Sequence, residues 1–153
     1  MGYTIVDLIS QLITIEENAV QMYREIIKKT NNQRIIVVSK VLIKEELNHI
    51  EWYNEFKEKL QKEEQGDMDF YFYDKAFKLI SEFKQRMIIP SVSEIKELIK
   101  TAVYFEKQHE ALLIDLQGRM VQSNADALSD AYKLLSKIIE EERKHIKNLE
   151  VFL

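Results

Sequence analysis

All three histidines of this chain stand three residues after a glutamate, in Glu46-Leu47-Asn48-His49, Glu106-Lys107-Gln108-His109 and Glu142-Arg143-Lys144-His145. The chain has 19 glutamates in 153 residues. Random placement would therefore give all three histidines this neighbour with a chance on the order of two in a thousand, counting matches to one spacing. On a helix, residues three apart lie about 60° apart around the axis and about 4.5 Å apart along it. Glutamate and histidine then project from one face. A carboxylate and an imidazole held in that way can bind one transition-metal ion.

These pairs need helices to hold them, and helical periodicity runs along most of the chain. Apolar residues recur from Ile5 to Ile27 at Ile5, Leu8, Ile9, Leu12, Ile15, Ala19, Met22, Tyr23, Ile26 and Ile27, a stripe with a period near 3.6. Thr30, Asn31 and Asn32 break it. A second pattern runs from Gln33 to Leu60 through Ile36, Val37, Val41, Leu42, Leu47, Ile50, Tyr53, Phe56 and Leu60. The charged stretch from Gln61 to Asp69, which contains Gly66, ends it. Phe70 to Ile89 reads as a shorter connecting helix that Pro90 stops. Ser91-Val92-Ser93-Glu94 has the form of a capping box and predicts a new helix from there to about Met120. Gln122 to Asn124 breaks that helix, and a last one runs from Ala125 to Leu149.

Four long amphipathic helices and one connector predict an all-α fold, a four-helix bundle made of two helical hairpins in a single domain spanning residues 1–153. Composition agrees. Only three glycines and one proline are present, few punctuators for a β-rich chain. A chain of this length buries most of its apolar surface on folding. The net charge of −4 argues against nucleic acid as a partner. The absence of cysteine excludes disulfides, thiolate zinc sites and cysteine-ligated iron–sulfur or rubredoxin centres within these residues. No apolar run approaches the roughly 20 residues that span a bilayer, and no signal pattern opens the chain, so a cytoplasmic location without membrane contact is expected.

The two hairpins repeat one pattern. Each second helix carries a Glu-x-x-His, at Glu46/His49 and at Glu142/His145. Each first helix carries a glutamate on its apolar stripe: Glu16 beside Leu12, Ala19 and Tyr23, and Glu106 beside Ala102, His109 and Leu113. Carboxylates can bridge two irons in both oxidation states, and an O/N donor set without sulfur disfavours copper(I). Against this stands the plain reading that charged helix residues face solvent, as Glu45, Glu51, Glu140 and Glu141 are expected to do.

With Glu16 to Tyr23, Glu45 to Ile50 and Glu141 to Ile146 aligned in this order, the whole chain resembles the ferritin-like di-iron carboxylate proteins, and among them the rubrerythrin-like group. In that family two helices give a glutamate each and two give Glu-x-x-His. The resemblance implies two iron ions per chain, with manganese or a mixed pair as alternatives, held by Glu16, Glu46, His49, Glu106, Glu142 and His145. His109 stands where many rubrerythrins have a further carboxylate. It is expected as a seventh ligand, as a hydrogen-bond partner orienting a carboxylate, or as a histidine displaced toward solvent or a partner chain. Tyr23 and Tyr53 each follow a proposed ligand by seven residues, and a catalytic proton-donor role stands beside a plain core role. The implied activity is a peroxidase reducing hydrogen peroxide to water. The chain ends at Leu153 without cysteine, so electrons are expected from a separate donor such as rubredoxin. Ferroxidase or iron-handling activity with dioxygen, and a metal-free all-α interaction module, are the alternatives. The resemblance further implies a homodimer.

Overall fold

The computed structural model describes residues 2–62, 66–121 and 125–153, the side chains of residues 125–130 excepted. All regular structure among them is helical: α1 (Ile5–Lys29), α2 (Gln33–Gln61), α3 (Phe70–Gln85), α4 (Ile95–Val121) and α5 (Ala125–Glu150). The expected breaks at Gln122–Asn124 and part of the charged stretch from Gln61 to Asp69 fall outside the described residues.

Local chemistry sets several of the ends. Asp7 closes the first turn of α1 by accepting from the backbone N–H of Thr4 at 2.8 Å. Asn32 caps α2, its Oδ1 accepting from Arg34 and Ile35, which satisfies two of the orphan donors at a helix start. Asp69 caps α3 through the N–H of Tyr71.

Two boundaries differ from those read in the sequence. The connecting helix stops at Gln85, not Ile89. Pro90 disfavours helical geometry at the residue before it, and the chain unwinds several residues upstream. The next helix starts at Ile95, with Leu98 N–H donating to Glu94 C=O as its first bond. The box anticipated at Ser91 and Glu94 does not form. Instead Ser93 Oγ donates to the Glu97 carboxylate at 3.0 Å. The intervening chain has no regular structure and lays Val92 against the core.

α1 packs along α2, and α4 along α5; α3 bridges α1 and α4, and α2 touches α4. Buried positions in each long helix step by threes and fours: Leu12, Glu16, Ala19 and Tyr23 in α1, Leu98, Ala102, Glu106, His109 and Leu113 in α4, and Leu135, Ile138, Glu142, His145 and Leu149 in α5. Alternating steps of this kind keep one seam of a helix turned to its neighbour.

In α2 the seam is the expected one only in part. Leu42, Tyr53 and Leu60 are buried, and Ile50 and Phe56 pack against the core, but Val37, Val41 and Leu47 are exposed and Ile35, Ser39 and Glu46 are buried. Two polar residues sit on the buried side, so counting apolar residues displaces part of the seam. The aromatic run that opens α3 is likewise divided. Phe70 and Tyr71 face outward, while Phe72 and Tyr73 turn in, Tyr73 stacking on Tyr3 with ring centroids 3.9 Å apart. Trp52 is partly buried against Tyr53 and Phe56. Among the described residues no helix is long and apolar enough to cross a membrane.

Candidate metal centre

One layer of the core is polar. Glu16 from α1, Glu46 from α2, Glu106 and His109 from α4, and Glu142 and His145 from α5 are all buried. His49 from α2 joins them with its side chain 20% exposed. Apolar neighbours on the same seams, Leu12, Leu42, Leu113 and Leu135 among them, are sealed from solvent. The helices that place this layer are thus anchored by apolar residues along their length.

The nitrogens and oxygens converge. His49 Nδ1 lies 3.7 Å from Glu16 Oε2, 3.9 Å from Glu46 Oε2 and 3.6 Å from Glu142 Oε1. His109 Nδ1 lies 3.8 Å from Glu16 Oε1 and 3.5 Å from the same Glu142 Oε1. His145 Nδ1 lies 3.4 Å from Glu106 Oε1, and its Nε2 meets the carboxylate of Glu45. Three groups have ligand atoms all within 4.8 Å of one another: Glu16, His49 and Glu142; Glu46, Glu106 and His145; and Glu106, His109 and Glu142.

Most of these separations are too long for good hydrogen bonds. They match the roughly 3 to 4 Å between two donor atoms that each sit about 2.1 Å from a shared ion. The buried oxygens of Glu16, Glu46 and Glu106, with Nδ1 of all three histidines, have no hydrogen-bond partner. Buried polar atoms are rarely left so. The buried clusters can therefore hold a metal ion, and the donor set of carboxylate and imidazole suits a divalent transition metal.

Electrostatics without metal tell the same story. Burial, together with Glu142, pushes Glu16 up to about 8, against a lowering contact with Glu46. Burial first, and neighbouring carboxylates second, push Glu46 and Glu106 well above the usual range. Two ionised carboxylates cannot hydrogen-bond to each other, so the contacts joining Glu16, Glu46 and Glu106 need a proton on one partner. Glu142 behaves differently. Burial pushes it up, but His109, the adjoining carboxyl of Glu106, His49 and His145 together hold it below the ordinary value. His109 is lowered, chiefly by burial. Burial lowers His145, but Glu45, Glu46 and Glu142 together raise it above its ordinary value.

All seven residues singled out as ligands in the sequence thus meet in one layer, and of the three positions considered for His109 the structure places it inward, fully buried. Tyr23 and Tyr53 are also buried, and their hydroxyls have no hydrogen-bond partner. Burial and the nearby carboxylates raise both, so each keeps its proton.

Glu45 is the residue that sequence reasoning missed. It was assigned to solvent, yet it is half-buried and closes on His145. The doubled glutamates Glu45-Glu46 and Glu141-Glu142 offer no signal, since Glu141 is exposed and pairs with Lys144 at 3.4 Å. What distinguishes Glu45 is the proximity of α2 to α5, which spacing along one helix does not encode.

Beside the centre, Phe83 and Phe105 pack on His109 with ring centroids 5.8 Å and 6.0 Å away. Their other sides line a surface groove of about 540 Å³ with Met22, Met87 and Tyr104. Comparison with protein-family models, with curated proteins and with solved structures finds no match to this chain.

Proposed function

We propose that the four long helices form a ferritin-like bundle around a di-iron centre and that the protein is a rubrerythrin-like peroxidase, reducing hydrogen peroxide to water with electrons from a separate donor. The observation that carries this reading is the meeting of four buried glutamates with His49, His109 and His145, where the oxygens of Glu16, Glu46 and Glu106 and Nδ1 of each histidine lack hydrogen-bond partners. Four carboxylates and two divalent ions are together neutral, which offsets the cost of burying either set alone. Two ferrous ions bound there would supply the two electrons that convert hydrogen peroxide, with two protons, to two waters.

The remaining work falls to this chain's own groups. Glu16, Glu46, Glu106 and Glu142 would hold the ions, with His49, His109 and His145 completing the set. Tyr23 and Tyr53 hold protons on hydroxyls sealed beside the carboxylates. The apolar residues of the same seams keep bulk water from the layer. His49, the most exposed of the donors, marks the side from which a small oxidant enters.

Stopped-flow oxidation of the anaerobically reduced, iron-loaded protein tests this. The expected result is faster oxidation by hydrogen peroxide than by dioxygen, with repeated turnover when a reductant is supplied. Faster reaction with dioxygen followed by ferric mineral would replace it with a ferroxidase. A chain that takes up no iron would leave an all-α module without redox chemistry.

A further inference from the structure

The imidazoles are not shared evenly across the carboxylate layer. His49 Nδ1 and His109 Nδ1 approach the same oxygen, Oε1 of Glu142, at 3.6 Å and 3.5 Å. They also face the two oxygens of Glu16, at 3.7 Å and 3.8 Å. On the other side a single imidazole, His145, faces Glu106 at 3.4 Å, with Glu46 completing that group. Behind His145 stands another carboxylate, Glu45. Glu46 and Glu106 also reach toward the first side, through His49 and through the group of Glu106, His109 and Glu142, so the two sides adjoin.

We infer that the centre offers two unequal metal positions: a nitrogen-rich one formed by His49, His109, Glu16 and Glu142, and an oxygen-rich one formed by His145, Glu106 and Glu46, filled in that order by different divalent metals. The inference rests on the reading of the layer as a two-metal site and adds which position prefers which ion. Imidazole favours the later first-row ions, whereas carboxylate-rich sets suit manganese and magnesium. A second imidazole therefore raises affinity for zinc or cobalt more than for manganese. The second position has one imidazole, and Glu45 makes that ring a better donor without adding a nitrogen, as a carboxylate behind a ligand histidine does. His109 is then the residue that sets selectivity, because without it each side has one imidazole.

Zinc and manganese, added to the chelator-treated full chain, provide the test. Zinc alone should bind in two steps whose affinities differ by about tenfold or more, given the preference of imidazole for it. One equivalent of zinc followed by one of manganese should give an electron paramagnetic resonance spectrum of one isolated Mn(II) per chain. Repulsion between two dications would also separate the zinc steps, so the variant His109→Gln decides. It should bring the two steps closer, down to the separation that repulsion alone imposes, and yield a mixture with coupled manganese pairs. A variant that keeps the full separation overturns the inference and leaves the two-metal reading intact. The zinc–manganese spectrum of the unaltered chain needs no variant, and coupled pairs there would overturn it equally. Absence of zinc binding would remove the two-metal reading itself.

Discussion

The metal-free layer works against the fold, and Glu16 shows by how much. Its carboxyl is fully buried and pushed up to about 8, from an ordinary 4.5, chiefly by burial. A carboxyl whose folded value lies above its unfolded one takes up a proton on folding. Stability therefore falls as pH rises from about 4.5 to about 8 and is level beyond. At pH 7 the folded chain holds this proton and the unfolded chain has lost it, which costs about 3 kcal/mol at roughly 1.4 kcal/mol per pH unit. Above pH 8 the cost reaches about 5 kcal/mol on the same arithmetic. Glu142 works in the opposite sense. Its folded value is lowered, so its contribution is present above the ordinary value and is lost as acid passes below the folded one.

The variant Glu16→Gln keeps the shape and an oxygen that can accept from Glu46 but carries no charge in either state. With metal removed, it should be more stable than the unaltered chain by about 3 kcal/mol at pH 7. For a chain of this size that corresponds to a rise in melting temperature of about 6–12 °C. The gain should shrink toward zero near pH 4 and grow by pH 8.5. With divalent metal present the order should reverse, because an ion that binds the folded state stabilises it and the amide is a poorer ligand. Thermal unfolding followed by circular dichroism, with chelator and with ferrous ion, reads all of this. A chelated Glu16→Gln protein that melts at or below the unaltered one at pH 8, or a gain independent of pH, would refute the reasoning.

Metal content after desalting should fall by at least about half in Glu142→Ala, which removes an oxygen facing two histidines, and stay unchanged in Glu141→Ala, whose side chain is exposed. Equal losses would mean that the phase of α5 is wrong. In the apolar part of the core, Leu116→Ala should cost about 2–5 kcal/mol in urea unfolding. The exposed neighbour Ile114 should tolerate alanine within about 0.5 kcal/mol.

The long helices were legible because their apolar stripes are long and regular, and α1 and α5 follow the sequence reading to within two residues at each end. The seam of α2 was legible only in part, at Leu42, Tyr53 and Leu60. Ser39 and Glu46 occupy buried positions, while Val37, Val41 and Leu47 lie outside, so the hydrophobic pattern and the buried pattern diverge. That divergence is a mark of the polar layer, since a helix that gives Glu46 and His49 to the centre gives up apolar residues there. The residues of the polar layer were legible because Glu-x-x-His is a spacing within one helix. Glu45 was not, because its partner His145 lies on another helix. The inward turn of His109 was left open by the sequence, and α4 decides it by burying Glu106 and His109 together with Ala102 and Leu113.

The same burial predicts how many protons metal binding displaces. Without metal, Glu16, Glu46 and Glu106 are all raised and Glu142 is lowered. Near pH 6 the layer therefore carries up to three protons on carboxyls and one more on His145, whose value is raised, and Glu142 is its ionised carboxylate. One divalent ion needs only one more carboxylate to be balanced, whereas two ions need all four ionised. Loading two ions should release up to about four protons per chain near pH 6, three from carboxyls and one from His145, since ligands must give up protons to bind metal. Release should decline as pH rises past about 8, where Glu16 has already lost its own. Titration in a weakly buffered solution with an indicator dye measures this directly. Stoichiometric uptake of two ions with no proton release near pH 6 would mean that the carboxyls were already ionised, and the electrostatic account of the layer would fall with it.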